Sequence, residues 1–343
     1  MTSTSLPPAA ATILDVAKLA GVSRTTVSRV LNEPDSVSES LLARVREAAA
    51  LLNYVPSNAA RSLRSGRTGT IALLVGDISQ PFHGRLAKAV AQAARARGMS
   101  LVLGDLDHSE EVLNEFLSRL PKQGVDGIII ATADNVTSAR TRSGIADAIS
   151  QGVAVVLTMR EPSMPNVPAL QVDYTEIGRQ ATARLLAEGS SVALMVGQRD
   201  ANLGRQLVDG YLAAVTDAGG DLVAAASLIV EGGYTFEQSE RVVCDLLDNE
   251  HPVNGIVVAT IPMALGVIHA IEDRGLSVPQ DIAVIVCEDV PLAAYTRPGV
   301  TTVGVDTDQH GESIVRLLES TIRAEKMSAA PLDIRLTPRQ STR

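Results

Sequence analysis

Apolar residues recur along the chain with two different spacings, and the spacing changes near residue 70. Before that point they repeat every three or four residues, which is the period of an α-helix. After it, short apolar runs alternate with helical patterns, at 71–75, 101–103, 127–131, 153–157, 192–196, 255–259 and 282–286. Near-continuous runs of this kind are typical of parallel strands that are buried on both faces. The pattern therefore predicts a small all-α domain followed by a larger α/β domain.

The first helical segment, residues 12–32, is interrupted by a short turn. Thr12 is placed to cap a first helix at its amino end. The inward face of that helix is predicted to carry Val16, Leu19 and Ala20. Gly21 is suited to the left-handed backbone that ends a helix, and Ser23 can cap the next one. Two helices joined by such a turn form a helix-turn-helix.

The second helix of this motif has one apolar and one polar face. Its core-facing residues are predicted to be Val27, Val30 and Leu31. The opposite face carries Arg24, Thr25, Ser28 and Arg29. Arginine can bond two acceptors of guanine, and threonine can contact an acceptor or a thymine methyl, so this face suits the major groove of DNA. The alternative is an ordinary charged surface. A third helix, capped by Ser38, would complete the domain.

Charge is distributed unevenly between the two predicted domains. The whole chain has a net charge of -9, but residues 1–70 contain eight basic and five acidic residues. That segment therefore carries +3 and the remainder carries -12. The distribution fits a modestly basic head that contacts phosphate and an acidic body that is held away from it.

The helix-turn-helix residues also form a specific signature. From Asp15 to Asn32 the sequence reads DVAKLAGVSRTTVSRVLN, and it continues as NYVP at 53–56 and AARSL at 59–63. This pattern resembles that of the lactose/galactose-repressor family, and the likeness extends at lower density over nearly the whole chain. The resemblance implies an α/β protein with an N-terminal all-α helix-turn-helix headpiece. Its core would be two-lobed and periplasmic-binding-protein-like, with parallel sheets flanked by helices.

The strand pattern and the resemblance together predict the domain boundaries. Residues 1–11 are expected to form a disordered leader, 12–56 the headpiece, and 57–67 a hinge helix and linker. The first core lobe would contain 68–172 and 301–326, and the second lobe 173–300 and 327–343.

The resemblance assigns DNA contacts to three groups of residues. Those in the major groove would be Arg24, Thr25, Ser28 and Arg29. Those on the DNA backbone would be Thr12, Ser23, Thr26, Ser38, Tyr54 and Asn58, and those in the minor groove Ala59, Arg61 and Leu63. A hinge helix of about two turns is too short to fold alone. It would need a second copy of the chain and DNA, where Leu63 would wedge into a base step. A flexible linker with one apolar anchor is the alternative.

A ligand cleft is expected between the lobes, because ligands of open α/β sheets bind beyond the carboxyl ends of the strands. By resemblance, effector binding is expected at Phe82, His83, Arg160, Tyr234, Thr260 and Glu288. Arg205 is added to this set, although it is displaced by two residues from the family's arginine position, which is Leu207 here. Three polar positions that the family uses are apolar here, namely Met159, Ile261 and Leu207. A free-sugar site is therefore disfavoured. Arg160, Arg205 and His83 would let the cleft hold an anion, or each would be solvated or structurally paired, and both interpretations remain open.

The sequence contains no recognisable motif for catalysis or metal binding. It has no nucleotide-cradling glycine-rich motif, no His/Cys cluster with metal spacing and no nucleophile elbow. The other histidines, His108, His251, His269 and His310, are expected to be structural or solvent-facing. Cys244 and Cys287 are expected to be small core residues. The chain is therefore predicted not to be an enzyme and to use no cofactor.

A transcription regulator is the function that these features favour. No apolar run is long enough to span a bilayer, and residues 1–11 lack the features of a signal peptide. A periplasmic-type solute-binding protein would share the core, but it would need an export signal and would have no use for residues 12–64.

The favoured regulator is a repressor of a metabolic or uptake operon. It is expected to be a homodimer, because the sequence has no heptad repeats that would indicate a tetramerisation helix. Its partners would be double-stranded operator DNA and a small molecule such as a sugar, sugar phosphate or nucleoside. It is expected to be cytoplasmic and associated with the nucleoid when bound. A regulator with a degenerate effector site that acts without ligand is the alternative.

Overall fold

A computed structural model of the chain describes residues 11–32, 36–54, 66–170, 172–248, 253–325 and 331–343. Its internal contacts divide the chain into two units, Met1–Thr68 and Gly69–Arg343. Residues 1–10 of the proposed leader and nearly all of the predicted hinge, with Asn58, Ala59, Arg61 and Leu63, lie outside the described residues, as does His251.

The described part of the first unit contains three helices, α1 (Ile13–Ala20), α2 (Arg24–Asn32) and α3 (Glu39–Leu51). The predicted cap of α1 is confirmed: the Thr12 hydroxyl accepts a hydrogen bond from the Asp15 N–H at 3.4 Å, and the Asp15 carboxylate accepts one from the Thr12 N–H at 2.8 Å. Gly21 ends α1 with a φ of 62°, as predicted. The local sequence therefore determines where α1 begins and ends.

Two predictions for this unit are wrong in detail. Leu19 is 52% exposed rather than inward-facing, because the packed face of α1 is centred on Val16, Ala17 and Ala20. At about 100° per residue, Leu19 lies roughly 100° from the middle of that face. Ser38 holds the N-cap position of α3, but its hydroxyl lies 3.3 Å from the Ser40 hydroxyl and makes no capping hydrogen bond.

The second unit contains two parallel sheets, each flanked by helices. The first has the strand order β2-β1-β3-β4, with β1 (Thr70–Val75), β2 (Ser100–Asp105), β3 (Gly127–Ala131) and β4 (Ala154–Leu157). Its helices are α4 (Pro81–Ala96), α5 (Glu110–Arg119) and α6 (Ala139–Ser150), with a 3₁₀ turn at Pro121–Gln123. These elements form the first lobe.

The second sheet has the strand order β10-β9-β8-β7-β5-β6, in which only β10 is antiparallel to its neighbour. Its strands are β5 (Val192–Val196), β6 (Ile229–Glu231), β7 (Gly255–Val258), β8 (Ala283–Val286), β9 (Thr301–Val305) and β10 (Ile334–Thr337). The helices that follow β4 in the chain are α7 (Tyr174–Leu186), α8 (Asn202–Asp217), α9 (Leu222–Ser227), α10 (Phe236–Leu247), α11 (Ile261–Asp273) and α12 (Thr307–Ile322), with a 3₁₀ turn at Pro291–Ala294.

All seven apolar runs form strands, whereas three further strands, β6, β9 and β10, lie outside those runs. β9 reads Thr-Thr-Val-Gly-Val, and its threonines conceal a fully buried strand. The Thr301 hydroxyl lies 2.9 Å from the Thr342 hydroxyl, and the Thr301 N–H donates to the Ser341 hydroxyl at 2.8 Å. Partners about 40 residues away thus satisfy the polar groups that made this segment look like a loop.

The assignment of residues 301–326 to the first lobe is also corrected at its start. β9 belongs to the second sheet, whereas α12 packs against α4 of the first lobe. The chain therefore returns to the first lobe at Asp306, the residue that caps α12. Gly311 permits close packing there, because a Cβ at this position would lie 2.9 Å from the Ala89 carbonyl carbon and 3.0 Å from the Val90 nitrogen.

Replacement of Gly311 by alanine is expected to lower the free energy of unfolding by about 1–3 kcal/mol, because the added methyl group overpacks the α4–α12 contact. Gly84→Ala on α4 is the matched control. Its Cβ would have no neighbour closer than 4.0 Å, so the better helix propensity of alanine should stabilise the protein by up to about 1 kcal/mol. Urea unfolding of both variants measures the difference, and equal effects of the two substitutions would contradict the close-packing role of Gly311.

Candidate DNA-binding surface and interlobe cavity

Helix α2 presents the predicted major-groove residues on one face of the first unit. Arg24, Thr25 and Arg29 are exposed and Ser28 is half-buried, while Val27 and Val30 pack inward. The Ser23 hydroxyl accepts a hydrogen bond from the Thr26 N–H at 3.1 Å, so it caps α2 as expected. No ion pair holds Arg24 or Arg29 among the residues that the structure describes. Arg24 is thus displayed at the capped amino end of α2 and Arg29 in its last turn, which is an arrangement suited to reading DNA.

The residues predicted to contact the DNA backbone have different roles within the first unit. The Thr12 and Ser23 hydroxyls take part in helix capping, and the Thr26 hydroxyl lies 2.8 Å from that of Ser23. Tyr54 is half-buried against the core of the first unit, and its N–H donates to the Ala49 carbonyl at 2.8 Å. Their contacts with DNA remain predictions.

A cavity open to solvent lies in the second unit at the carboxyl ends of strands from both sheets, and its empty space, with the solvent at its mouth included, is about 580 Å³. It is lined by Gln80, Phe82, His83, His108, Ala131, Thr132, Ala133, Thr158, Met159, Tyr174, Leu203, Tyr234, Ala259, Thr260, Cys287, Glu288 and His310. Both lobes contribute side chains, as the strand-end argument predicted. Five of the seven predicted effector residues, Phe82, His83, Tyr234, Thr260 and Glu288, are therefore brought together.

The other two predicted residues, Arg160 and Arg205, do not line this cavity. Arg160 is exposed. The Arg205 guanidinium donates to the Asp200 carbonyl and lies 4.0 Å from the Glu161 carboxylate. Two residues along a helix correspond to a rotation of about 200°, so Arg205 faces away from the direction of buried Leu207. Among the described residues, the cavity lining contains no lysine or arginine, which removes the main support for an anion site.

His108 is a cavity residue that the sequence analysis missed. Its Nδ1 lies 2.9 Å from the Asp134 carboxylate, and its ring stacks on Tyr234 with centroids 4.9 Å apart and planes 9° apart. The hydrogen bond and charge of Asp134 raise the pKa of His108 against the opposing effect of burial. Because His108 follows β2 and Tyr234 follows β6, the stack joins the two lobes. β2 is longer than its apolar run, so its carboxyl end was not identified from the sequence.

His83 and His310 also line the cavity, but they differ in their hydrogen bonding. His83 Nδ1 lies 2.7 Å from the Asp77 carbonyl, which can only accept, so His83 donates from this nitrogen. Burial lowers the pKa of His83. His310 is buried on α12, and burial lowers its pKa to about 4. His310 was missed because the strand that precedes it, β9, was missed.

Glu288 supplies the cavity's carboxyl group. Its Oε1 accepts a hydrogen bond from the Ile261 N–H, the first residue of α11, at 2.5 Å. Burial raises the pKa of Glu288 to about 7, and the hydrogen bond from Ile261 opposes this shift. Burial, with the nearby Glu288 charge, also raises the pKa values of Tyr174 and Cys287. Glu288 can therefore exchange a proton near neutral pH.

Outside the cavity, Glu240, His269 and Asp273 form the one described group whose spacing would allow a shared cation. His269 Nδ1 lies 3.0 Å from the Glu240 carboxylate and 3.8 Å from that of Asp273. The three side chains lie on the surface of α10 and α11 and contact one another, so they give no reason to assign a cofactor. Among the described residues, no helix has the length and apolar character needed to cross a membrane.

Comparisons with known proteins agree with this architecture. A family model described as bacterial regulatory proteins, lacI family, matches residues 12–57, and one described as a periplasmic binding protein-like domain matches residues 182–342. Catabolite control protein A of Priestia megaterium is 32% identical over 336 residues, covering 97% of this chain and 99% of that protein. The ribose operon repressor of Escherichia coli (strain K12) is 32% identical over 331 residues, covering 94% and 98%.

Two solved structures extend the comparison. The transcriptional regulator CelR in complex with cellobiose superimposes with a TM-score of 0.70 at 29% identity, covering 96% of this chain and 99% of that one. The Lac repressor bound to ONPG gives a TM-score of 0.82 at 24% identity, covering 97% and 99%, and it supports the fold alone.

A helix-turn-helix unit followed by a periplasmic-binding-protein-like unit defines a DNA-binding transcription regulator with a ligand-binding core. The chain belongs to the lacI family of bacterial regulatory proteins. Like these relatives, it is a transcription regulator and not an enzyme.

Glu288→Gln is expected to remove a pH-dependent loss of stability. The folded protein raises the pKa of Glu288 from the usual 4.5 to about 7. The contribution of the protonated Glu288 carboxyl group to the free energy of unfolding is therefore complete below pH 4.5 and is lost as the pH rises through 7. Relative to wild type, the variant should gain up to about 3 kcal/mol between these limits, because glutamine keeps an acceptor for the Ile261 N–H and cannot ionise.

Urea unfolding of both proteins from pH 5 to 8 measures this difference. The exposed Glu115→Gln on α5 is the control and should differ from wild type by a constant amount across the range. A Glu288→Gln difference that is equally independent of pH would refute the assigned environment of Glu288.

Proposed function

We propose that the chain is a homodimeric repressor that reads a near-palindromic operator with helix α2 and responds to a small molecule in the interlobe cavity. The observation that carries this proposal is the exposed face of α2, where Arg24, Thr25 and Arg29 stand on a helix fixed by the Ser23 cap and by buried Val27. Arginine at such a position can bond the O6 and N7 atoms of a guanine. Its site of action would be the cytoplasm, on nucleoid DNA.

Dimerisation would place two copies of α2 at half-site spacing. Two groups of exposed apolar side chains on the second unit support a second copy of the chain as the partner. Val102 and Leu103 are exposed on β2, which is the edge strand of the first sheet, and Tyr295 is 79% exposed beside exposed Leu292. Edge strands with apolar side chains are normally covered in solution. Pairing would also give the hinge segment the partner that a short helix requires.

The effector would act by binding one arrangement of the two lobes more tightly than the other, since a ligand shifts an equilibrium only by its difference in affinity. Two relatives indicate the kind of ligand: one is a ribose operon repressor, and CelR was solved with cellobiose. The interlobe cavity, lined from both lobes, supports a ligand-responsive regulator over a regulator that acts without an effector.

Operator binding tests the proposed function. Genomic fragments selected by the full-length chain would yield the operator, and its affinity would then be measured between 50 and 200 mM salt. A dimer that neutralises about 6–10 phosphates should lose roughly 10³–10⁵-fold in affinity over this range. Failure to bind any DNA at 50 mM salt would overturn the proposal.

Arg24→Ala is expected to weaken operator binding by about 1–3 kcal/mol per half-site, or roughly fivefold to 150-fold, and to relax selectivity at one base pair of each half-site. The control is Arg46→Ala. It removes an equal charge from an exposed side chain on α3 of the same unit and should leave base selectivity unchanged. If both variants lost the same affinity, and lost it equally for every operator sequence, Arg24 would contribute only its charge. Fluorescence anisotropy with the operator and single-base variants provides the measurement.

A further inference from the structure

Two rings, one from each lobe, stack on each other beside the interlobe cavity. His108 follows β2 of the first lobe and Tyr234 follows β6 of the second, and their nearly parallel planes are 9° apart. Tyr234 is 7% exposed, whereas the side chain of His108 is 25% exposed. This pair, which we name the ring clasp, is therefore a direct contact between the lobes that water still reaches on the histidine side.

Each ring of the clasp lies over a glycine at the carboxyl end of a strand. Gly197 follows β5, and a Cβ at this position would lie 2.1 Å from Cε1 of Tyr234. Gly76 follows β1, and a Cβ there would lie 3.2 Å from Cε1 of His108. A side chain at Gly197 would overlap the tyrosine ring, and one at Gly76 would crowd the histidine. The backbone of both lobes thus leaves room for the two rings to meet.

The backbone that presents His108 is also unusual. Asp107 and His108 have φ values of 48° and 52°, in the left-handed region that few residues other than glycine adopt. The His108 N–H donates to the Gly76 carbonyl at 2.9 Å and holds this turn against β1. Backbone of this kind persists where surrounding contacts maintain it, and it is concentrated at functional sites. Tertiary contacts therefore direct the His108 ring toward the second lobe.

Both ring nitrogens of His108 have partners in the first lobe. Nδ1 lies 2.9 Å from the Asp134 carboxylate, which can only accept, so this nitrogen carries a proton. Nε2 lies 3.1 Å from the side-chain amide of Gln80. An amide can present its nitrogen to a neutral ring or, after a half turn, its oxygen to a protonated one. The site therefore accommodates both charge states of His108.

The charged groups that face the clasp are mostly acidic. In the first lobe they are Asp77, His83, Asp107 and Asp134, with Glu110 of α5 on an adjoining pocket. In the second lobe they are Glu231, which acts on Tyr234, and Glu288, which lines the same cavity. Acidic neighbours in both lobes favour a positive charge on His108.

His108 is the member of the clasp that changes charge in the neutral range. The hydrogen bond and charge of Asp134 raise the pKa of His108 above its usual 6.5, and burial opposes this shift. Burial lowers the pKa of His83, so that ring stays neutral where His108 is charged. Burial raises the pKa of Tyr234, so its phenol stays neutral as well.

A positive charge on His108 strengthens its contact with Tyr234. The face of an aromatic ring is electronegative, so two neutral rings gain less from a parallel stack than from an edge-to-face contact. A cation over the same face is attracted to it. Asp134 stays beside His108, and a quarter of the histidine side chain remains exposed, which together limit the cost of covering the charge.

We propose that the ring clasp is a pH-sensitive contact that holds the two lobes together when His108 is protonated and loosens when His108 releases its proton to water. Operator affinity thereby responds to pH, whichever small molecule the cavity binds. The regulatory part of this inference rests on the proposed function, whereas the clasp itself does not.

The titration of His108 tests the stack directly. The full-length chain, labelled with ¹³C at Cε1 of its five histidines, would be followed by NMR from pH 5.5 to 9. Tyr234→Leu removes the aromatic face and should lower the midpoint of the His108 titration. Phe236→Leu removes the ring beside His269 and is the control, which should leave the His108 midpoint unchanged. An unchanged His108 midpoint in Tyr234→Leu would refute the clasp.

Spin labels measure the separation of the lobes. The labels are attached at Glu115→Cys on α5 and Val223→Cys on α9, two exposed sites in different lobes, in a chain that also carries Cys244→Ser and Cys287→Ala. An excess of unlabelled chain leaves one labelled copy in each dimer. Pulsed electron paramagnetic resonance then gives the ratio of short to long distances. This ratio should fall by about twofold to fivefold between pH 6 and pH 9, as expected for the loss of a partly exposed cation–π contact.

Two substitutions of His108 separate its charge from its ring. His108→Gln removes the ring and should shift the distances toward long values at both pH 6 and pH 9. His108→Phe keeps a ring that cannot ionise, so its ratio should not depend on pH. His269→Gln changes a surface histidine on α11 and is the control, which should respond to pH like the unsubstituted chain.

Several outcomes would contradict the clasp. A ratio that is independent of pH in the unsubstituted chain would do so, as would a pH response that persists in His108→Phe. Loss of the response in Glu288→Gln together with its retention in His108→Phe would assign it to the Glu288 carboxyl group instead. If a His108 variant does not fold, the titration of His108 in Tyr234→Leu decides the question.

Operator binding tests the regulatory part. The operator affinity of wild type, divided by that of His108→Gln, should change by about twofold to fivefold between pH 6 and pH 8.5, because the coupling cannot exceed the strength of the clasp. A constant quotient would show that the clasp does not act on DNA binding. A chain that binds no operator would refute the proposed function, while the spin-label distances would still decide whether the clasp exists.

Discussion

The close contact between α12 and α4 is the constraint on which the geometry of the ligand-binding core depends. β9 leaves the second sheet at Val305, and α12 then packs directly on the first lobe. Gly311 allows this approach, because any side chain there would overlap the backbone at Ala89 and Val90. The contact joins the carboxyl end of one sheet to a helix of the other. It thereby sets the separation of the two lobes and turns the adjacent His310 into the space between them.

A second link between the lobes is made by aromatic side chains at the cavity. His108 is held by Asp134 in the first lobe and stacks on Tyr234 in the second. A ligand that changes the spacing of the lobes must act against both links, and only the difference in its affinity between the two arrangements is available for that work.

The two binding surfaces of the chain have opposite electrostatic character. Helix α2 displays arginines for a polyanion, whereas the described cavity lining contains none and relies on neutral imidazole, hydroxyl and a carboxyl group that is protonated below neutral pH. The helix surface and the described cavity lining therefore differ in the charge that they present to a binding partner.

The sequence by itself determined the parts of this protein that depend on neighbouring residues. The Thr12 cap, the Gly21 turn and the apolar spacing of α2 act within a few residues, and the seven apolar strand runs need only local periodicity. Phe82, Tyr234 and Glu288 were found because they resemble family positions at strand ends. Only the tertiary structure placed Arg205 outside the cavity and His108 and His310 inside it. Helical rotation, the true end of β2 and the distant partners of β9 decide those positions, and contacts between residues far apart in the chain leave no local pattern to read.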